Sequence, residues 1–170
     1  MDEFPEEIDT AAVTTAAPNL FEVRQEIAQL PAEKAQLFHR IVAKLLFVCK
    51  RGRPDIQVAI AFLSTRTSKS DEYDWRKLRR LMRYLHSTLD LVLTLKVEDM
   101  TVIKWWVDAS YVVHETMRSH TGATMTLGSG SLYSKSAKQK LNTKSSTEAE
   151  LVAASDMSGQ ILWTKSFLEA

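Results

Sequence analysis

An α+β fold with its helices ahead of its strands follows from three features of this 170-residue chain. Apolar residues recur with a period near 3.6 from Pro31 to His86, then with a period near 2 from Leu89 to Lys140, and a helical period returns after Ser145. The expected architecture is an N-terminal helical segment followed by a mixed sheet, built of antiparallel strands plus one long helix. The corresponding divisions are a leader over 1–29, a helical segment over 30–88 and a strand-rich part over 89–170.

The leader opens with five acids in ten residues, continues rich in Ala and Thr, and has no sustained period. It reads as mobile, with a short helix near "FEVRQEIAQL". Pro31 is a good first helical residue and Gly52 sits where a helix stops. Between them Leu37, Phe38, Ile41, Val42, Leu45 and Val48 form one apolar stripe. Pro54 starts a second helix in "RPDIQVAIAFLSTR". A third, "SDEYDWRKLRRLMRYLHST", has Trp75, Leu78, Leu81, Met82 and Leu85 on its apolar side. "LDLVLTLKV" and "MTVIKWWVDAS" read as strands joined at "EDM", with Trp105 and Trp106 facing opposite ways. "SHTGATMTLG" and "SGSLYSKSAKQK" read as a hairpin turning at Gly128–Gly130. A last helix runs from Ser145 to the final residue, with Leu151, Val152, Ala154, Met157, Ile161, Leu162, Phe167 and Leu168 as its apolar set.

Composition excludes several classes. A chain 45% hydrophobic and 25% charged can bury a core. The single cysteine, Cys49, precludes an internal disulfide framework and a cysteine-based zinc cluster within one chain. No apolar run is long enough to span a bilayer, and the acidic start is opposite in charge to a targeting peptide. The expectation is an intracellular protein, cytoplasmic or nuclear, with no membrane partner.

The net charge of +1 hides a basic body, because beyond the first ten residues 22 bases face 16 acids. The bases cluster in "CKRGRP", in the third helix (Arg76, Lys77, Arg79, Arg80, Arg83) and before the last helix (Lys138, Lys140, Lys144). Such clusters suit a surface that tracks phosphates, and equally suit solvated faces.

Carboxylates are the candidates for chemistry. Asp108 follows an apolar-rich strand and precedes small residues, which suits either a turn former or a group pointing out of a sheet. In "TKSSTEAELVAA", Ser145 with Glu148 and Thr147 with Glu150 each fit a capping box. One carboxylate on a strand end and one in the first turn of a helix crossing the same sheet could instead hold Mg²⁺, which takes hard oxygen ligands.

The ordered set "RPDIQVAIAFLSTR", "DWRKLRRLMRYLHST", "WVDAS", "SHTGA" and "KQKLNTKSSTEAELVAASD" resembles the Pol polyprotein of copia-type LTR retrotransposons, over roughly residues 35–170. The resemblance implies that the helical part corresponds to the thumb-like end of a reverse transcriptase and the remainder to the start of a ribonuclease H domain. It further implies that Asp108 and Glu148 are metal-binding catalytic carboxylates for Mg²⁺, acting on the RNA strand of an RNA–DNA hybrid. Two residues along a helix is about 200° of rotation, so Glu150 is expected to face away. Asp156 lies about 12 Å along the helix from Glu148, too far to share metals about 4 Å apart. The family's later nuclease carboxylates and its polymerase Asp-Asp pair have no match here, so the chain alone is expected to be inactive. The hydrophobic strand "VIKWWV" is expected to leave an open sheet edge prone to self-association. A non-catalytic nucleic-acid-binding module and a translated relic without selected function remain as alternatives.

Overall fold

The computed structural model describes Phe4, Pro5 and residues 10–169. Asp2, Glu3, Glu6, Glu7 and Asp9 of the expected leader, and Ala170 at the expected end of the last helix, lie outside the described residues. The chain is α+β and divides into two compact units, Met1–Val92 and Leu93–Ala170. Among the described residues no helix is long and apolar enough to cross a membrane.

The first unit is helical. Helix α1 (Ala32–Arg51) follows Pro31 and ends where the Gly52 amide donates to Val48 O at 3.0 Å. It buries Phe38, Ile41, Val42 and Leu45, as the stripe requires, but continues it with Cys49, leaving Val48 exposed. A 3-10 turn (Pro54–Ile56) runs into α2 (Gln57–Thr65). Helix α3 (Glu72–Ser87) starts at a capping box. Asp71 Oδ1 accepts from the Tyr73 and Asp74 amides at 2.8 Å each, and the Asp71 amide returns a bond to Asp74 Oδ2. Trp75, Leu78, Leu81, Met82 and Leu85 are all buried against α1 and α2. Each contributes roughly 1.5–3 kcal/mol of apolar burial.

The described part of the leader packs on this core. Phe4 stacks on Trp75 with ring centroids 5.3 Å apart, Leu20 is buried, and Phe21 meets Phe62 edge-on at 5.6 Å. No helix forms at "FEVRQEIAQL". Turns closed by Leu20 N–H to Ala17 O and Glu22 N–H to Asn19 O deliver Leu20 and Phe21 inward instead.

The second unit holds a three-stranded antiparallel sheet in the order β2 (Lys104–Ser110), β3 (His120–Thr126), β5 (Tyr133–Lys138). Asp108 pairs in register with Gly122, and Gly122 with Ser136. The expected strand "LDLVLTLKV" reduces to β1 (Lys96–Val97), which pairs with β4 (Gly128–Ser129) rather than with β2. Glycine explains that choice: a Cβ on Gly128 would lie 2.3 Å from Lys96 O, and Gly130, at φ +77°, is as close to Thr94 O. The expected hairpin turn thus doubles as a strand partner.

Helix α4 (Ser146–Glu169) packs on β2 and β3. It buries a narrow stripe, Ala149, Ala153 and Met157 at spacings of four, joined by Thr164. Leu151, Leu162 and Phe167, expected in the apolar set, are exposed, because the small alanines are the residues that approach the sheet.

Candidate functional sites

Alternation along β2 leaves Lys104, Trp106, Asp108 and Ser110 exposed, with Trp105, Val107 and Ala109 half-buried between them. Asp108 therefore stands on the open face near the end of the edge strand. Its carboxylate has no hydrogen-bond or ion-pair partner among the described residues.

The two glutamates of α4 have different partners. Ser145 Oγ accepts from the Glu148 amide at 3.1 Å, and Glu148 Oε2 accepts from the Lys144 amide at 2.6 Å. This is a capping box displaced by one residue, and it ties Glu148 to its own helix start. Glu150 Oε1 instead accepts from the Ala109 amide at 3.2 Å, one residue beyond Asp108 in β2. Glu150 is thus the glutamate brought to the strand carrying Asp108. The direction in which α4 crosses β2 brings Glu150 to that strand.

Gln139, which sequence reasoning missed, holds this juncture. It is buried, and its Nε2 donates to Thr121 Oγ1 at 3.1 Å and to Ala149 O at 2.9 Å, joining β3 to the first turn of α4. Thr143 Oγ1 adds a buried bond with Ser119 Oγ at 2.9 Å. With these two side chains turned inward, Lys138, Lys140 and Lys144 are left exposed along the same segment.

Where the β2–β3 connection enters β3, His114 Nε2 and His120 Nδ1 lie 2.9 Å apart, and His120 Nε2 lies 2.6 Å from Ser136 Oγ. Burial pushes both imidazoles down to about 4, and at His114 the neighbouring His120 adds to the effect. No sequence spacing announced this pair. Val112 and Met117 in the same connection adopt positive φ, 48° and 56°. Among the described residues no group of three or more His, Cys, Asp or Glu could hold a metal ion.

The basic helix of the first unit is not uniformly open. Arg76 is exposed, whereas Arg79, Arg80 and Arg83 are half-buried. The Lys77 side chain is only 10% exposed; its Nζ lies 3.9 Å from Asp74 Oδ1 and over the rings of Phe62 and Tyr73. Burial pulls the Lys77 ammonium below its ordinary range, against the pull of Asp74 and Asp71. A cleft of about 560 Å³ runs beside α3, with these five bases on one side and residues 11–20 of the leader on the other.

Two relatives fix the affiliation. The chain is 28% identical over 153 residues to a retrovirus-related Pol polyprotein from transposon TNT 1-94 of Nicotiana tabacum, covering 89% of this chain and 11% of the relative. It is 31% identical over 117 residues to a retrovirus-related Pol polyprotein from transposon RE2 of Arabidopsis thaliana, covering 68% of this chain and 8% of the relative. The chain is homologous to a segment of copia-type retrotransposon Pol polyproteins. The chain is also similar, at 29% identity over 123 residues, to a secreted RxLR effector protein 161 of Plasmopara viticola, covering 72% of this chain and 87% of that relative. The segment thus spans only a small part of the Pol polyproteins it matches. No protein-family model and no solved structure matches it.

Proposed function

We propose that this Pol segment covers the end of a reverse transcriptase, as a thumb-like helical unit, and the start of a ribonuclease H-like domain, and that its partner is an RNA–DNA hybrid. The observation that carries the reading is the Glu150 carboxylate seated on the Ala109 amide beside the unpartnered Asp108. Both groups offer hard oxygen donors: Asp108 has both oxygens available and Glu150 has Oε2 without a hydrogen-bond partner among the described residues. That donor set fits Mg²⁺, which binds through one or two carboxylates and keeps several waters. Asp108 and Glu150 would hold the ion, and Glu148 serves as the cap. Bound Mg²⁺ supplies charge neutralisation at a phosphodiester and a more acidic water. Asp108 orients from the sheet face, and Glu150 is fixed by its bond to β2. Two carboxylates alone make a weak site, so the segment by itself binds hybrid without cleaving it. Arg76, Arg79, Arg80 and Arg83, together with Lys138, Lys140 and Lys144, supply sequence-independent phosphate contacts, while the buried Lys77 contributes little.

The test is titration of a hybrid labelled in its RNA strand, read for binding by anisotropy and for cleavage on a gel, with and without Mg²⁺. The expected result is salt-weakened binding with no cleavage, and a Mg²⁺-dependent gain in affinity lost in Asp108→Asn and in Glu150→Gln but kept in Glu148→Gln. Salt-insensitive binding, or a Mg²⁺ effect indifferent to Asp108 and Glu150, contradicts the reading.

A further inference from the structure

The described leader residues hydrogen-bond along the basic helix α3 and take up one of its phosphate-binding arginines, Arg80. Arg80 Nη2 donates to Thr14 Oγ1 at 2.8 Å, and Lys77 Nζ donates to Glu22 O at 2.5 Å. Asn19 Nδ2 donates to the Tyr73 hydroxyl, which itself donates to Glu22 Oε2 at 3.0 Å. Further along the helix, Ser87 Oγ donates to Ala12 O at 3.3 Å. The leader therefore follows α3 from its first turn to its last residue.

The cleft between them is lined on the leader side by small residues such as Ala11, Ala16 and Ala17. A space of about 560 Å³ holds a small molecule and is too small to admit a nucleic-acid duplex. A duplex can reach Arg79, Arg80 and Arg83 only after the leader has moved aside. The attachment is suited to that. Its large apolar anchors, Phe4 on Trp75 and Leu20 in the core, lie at separate points, and residues 10–19 are held over the basic face by the small side chains of Ala12 and Ala16 and by single hydrogen bonds of modest net strength. The sequence adds a fitting charge, since five of the first ten residues are acidic.

We propose that residues 10–19 form an autoinhibitory cover on the basic face of α3, displaced by the RNA–DNA hybrid. The inference rests on the reading of that face as a phosphate-binding surface. The cover lowers apparent affinity by the fraction of molecules in which it is open. Loosening it without adding charge raises affinity.

Thr14→Ala combined with Asn19→Ala removes two polar anchors and leaves the core residues and the net charge untouched. The expected result is hybrid binding tighter on the order of tenfold, with faster amide exchange over residues 10–19. A second variant, Ala12→Cys with Ser87→Cys, fastens the cover when oxidised; it binds more weakly oxidised than reduced. Equal affinity of wild type and the Thr14/Asn19 variant, despite faster exchange in the leader, overturns the cover. The phosphate-binding reading is tested separately by Arg79→Gln with Arg80→Gln and Arg83→Gln in the loosened background. Undiminished binding there removes the surface itself and the cover with it, whereas weakened binding keeps the surface and leaves the cover to stand or fall on the first comparison.

Discussion

Glu148 and Glu150 sit about 200° apart around α4, and each has a hydroxyl three residues before it. Sequence spacing therefore offered two equivalent capping boxes and one outward carboxylate, with no local means of choosing between them. The choice is made at long range, where α4 crosses β2 and brings Glu150 to the Ala109 amide. The consequence is separable by substitution. Glu148→Ala removes the cap and is expected to cost about 1 kcal/mol in denaturant unfolding without weakening the proposed divalent-cation binding. Glu150→Ala is expected to cost less stability and to abolish that proposed binding. Gln139 was illegible for a different reason: a lone polar residue in a lysine-rich stretch carries no periodic signal, yet it is buried with two bonds joining β3 to α4. Gln139→Leu leaves Thr121 Oγ1 and Ala149 O without that donor, and the expected cost is about 1–3 kcal/mol. Equal stability of the variant and wild type in chemical denaturation contradicts that role.

Elements with a strong local code were readable and those set by distant partners were not. Helix α3 combines an apolar period with the Asp71–Asp74 capping box, and all five residues of its expected apolar side are buried. The "LDLVLTLKV" strand shortens to Lys96–Val97 because its partner is the glycine turn at 128–129, which an alternating pattern cannot specify. The connection between β2 and β3 yields a pH prediction. His114 and His120 titrate near 6.5 in the unfolded chain and near 4 in the folded one, so the unfolded state takes up protons first as pH falls. Their contribution is fully present above about pH 6.5, is lost as pH falls towards about 4, and levels off below. The pair shares one hydrogen bond, and allowing for solvent screening at the half-buried His114 the expected loss is on the order of 2 kcal/mol. Replacing both histidines by asparagine flattens that part of the stability profile, and an unchanged slope between pH 6.5 and 4 contradicts the assignment.

At the scale of the whole chain, the large buried side chains belong to the first unit: Phe38, Ile60, Leu63, Trp75, Leu78 and Leu81 all lie there. Among the described residues the second unit buries only Ala123, Ala149, Ala153 and Met157 as apolar core. Amides of β2, β3 and β5 are therefore expected to exchange faster than those of α1 and α3, and uniform protection across both units contradicts this. The second unit also exposes Trp106, at 53%, on the edge strand, and Trp163 stacked on Phe167 along α4. Self-association at micromolar concentration is expected, reduced in sedimentation velocity by Trp106→Lys, and a monomer at all concentrations contradicts it. The central claim concerns which carboxylates meet at the juncture of β2 and α4. Its most direct test is paramagnetic broadening of the chain's amide signals by Mn²⁺ standing in for Mg²⁺. The account predicts broadening centred on Asp108, Ala109 and Glu150, lost in Asp108→Asn and Glu150→Gln and retained in Glu148→Gln. Broadening centred elsewhere, or abolished by Glu148→Gln alone, would contradict it.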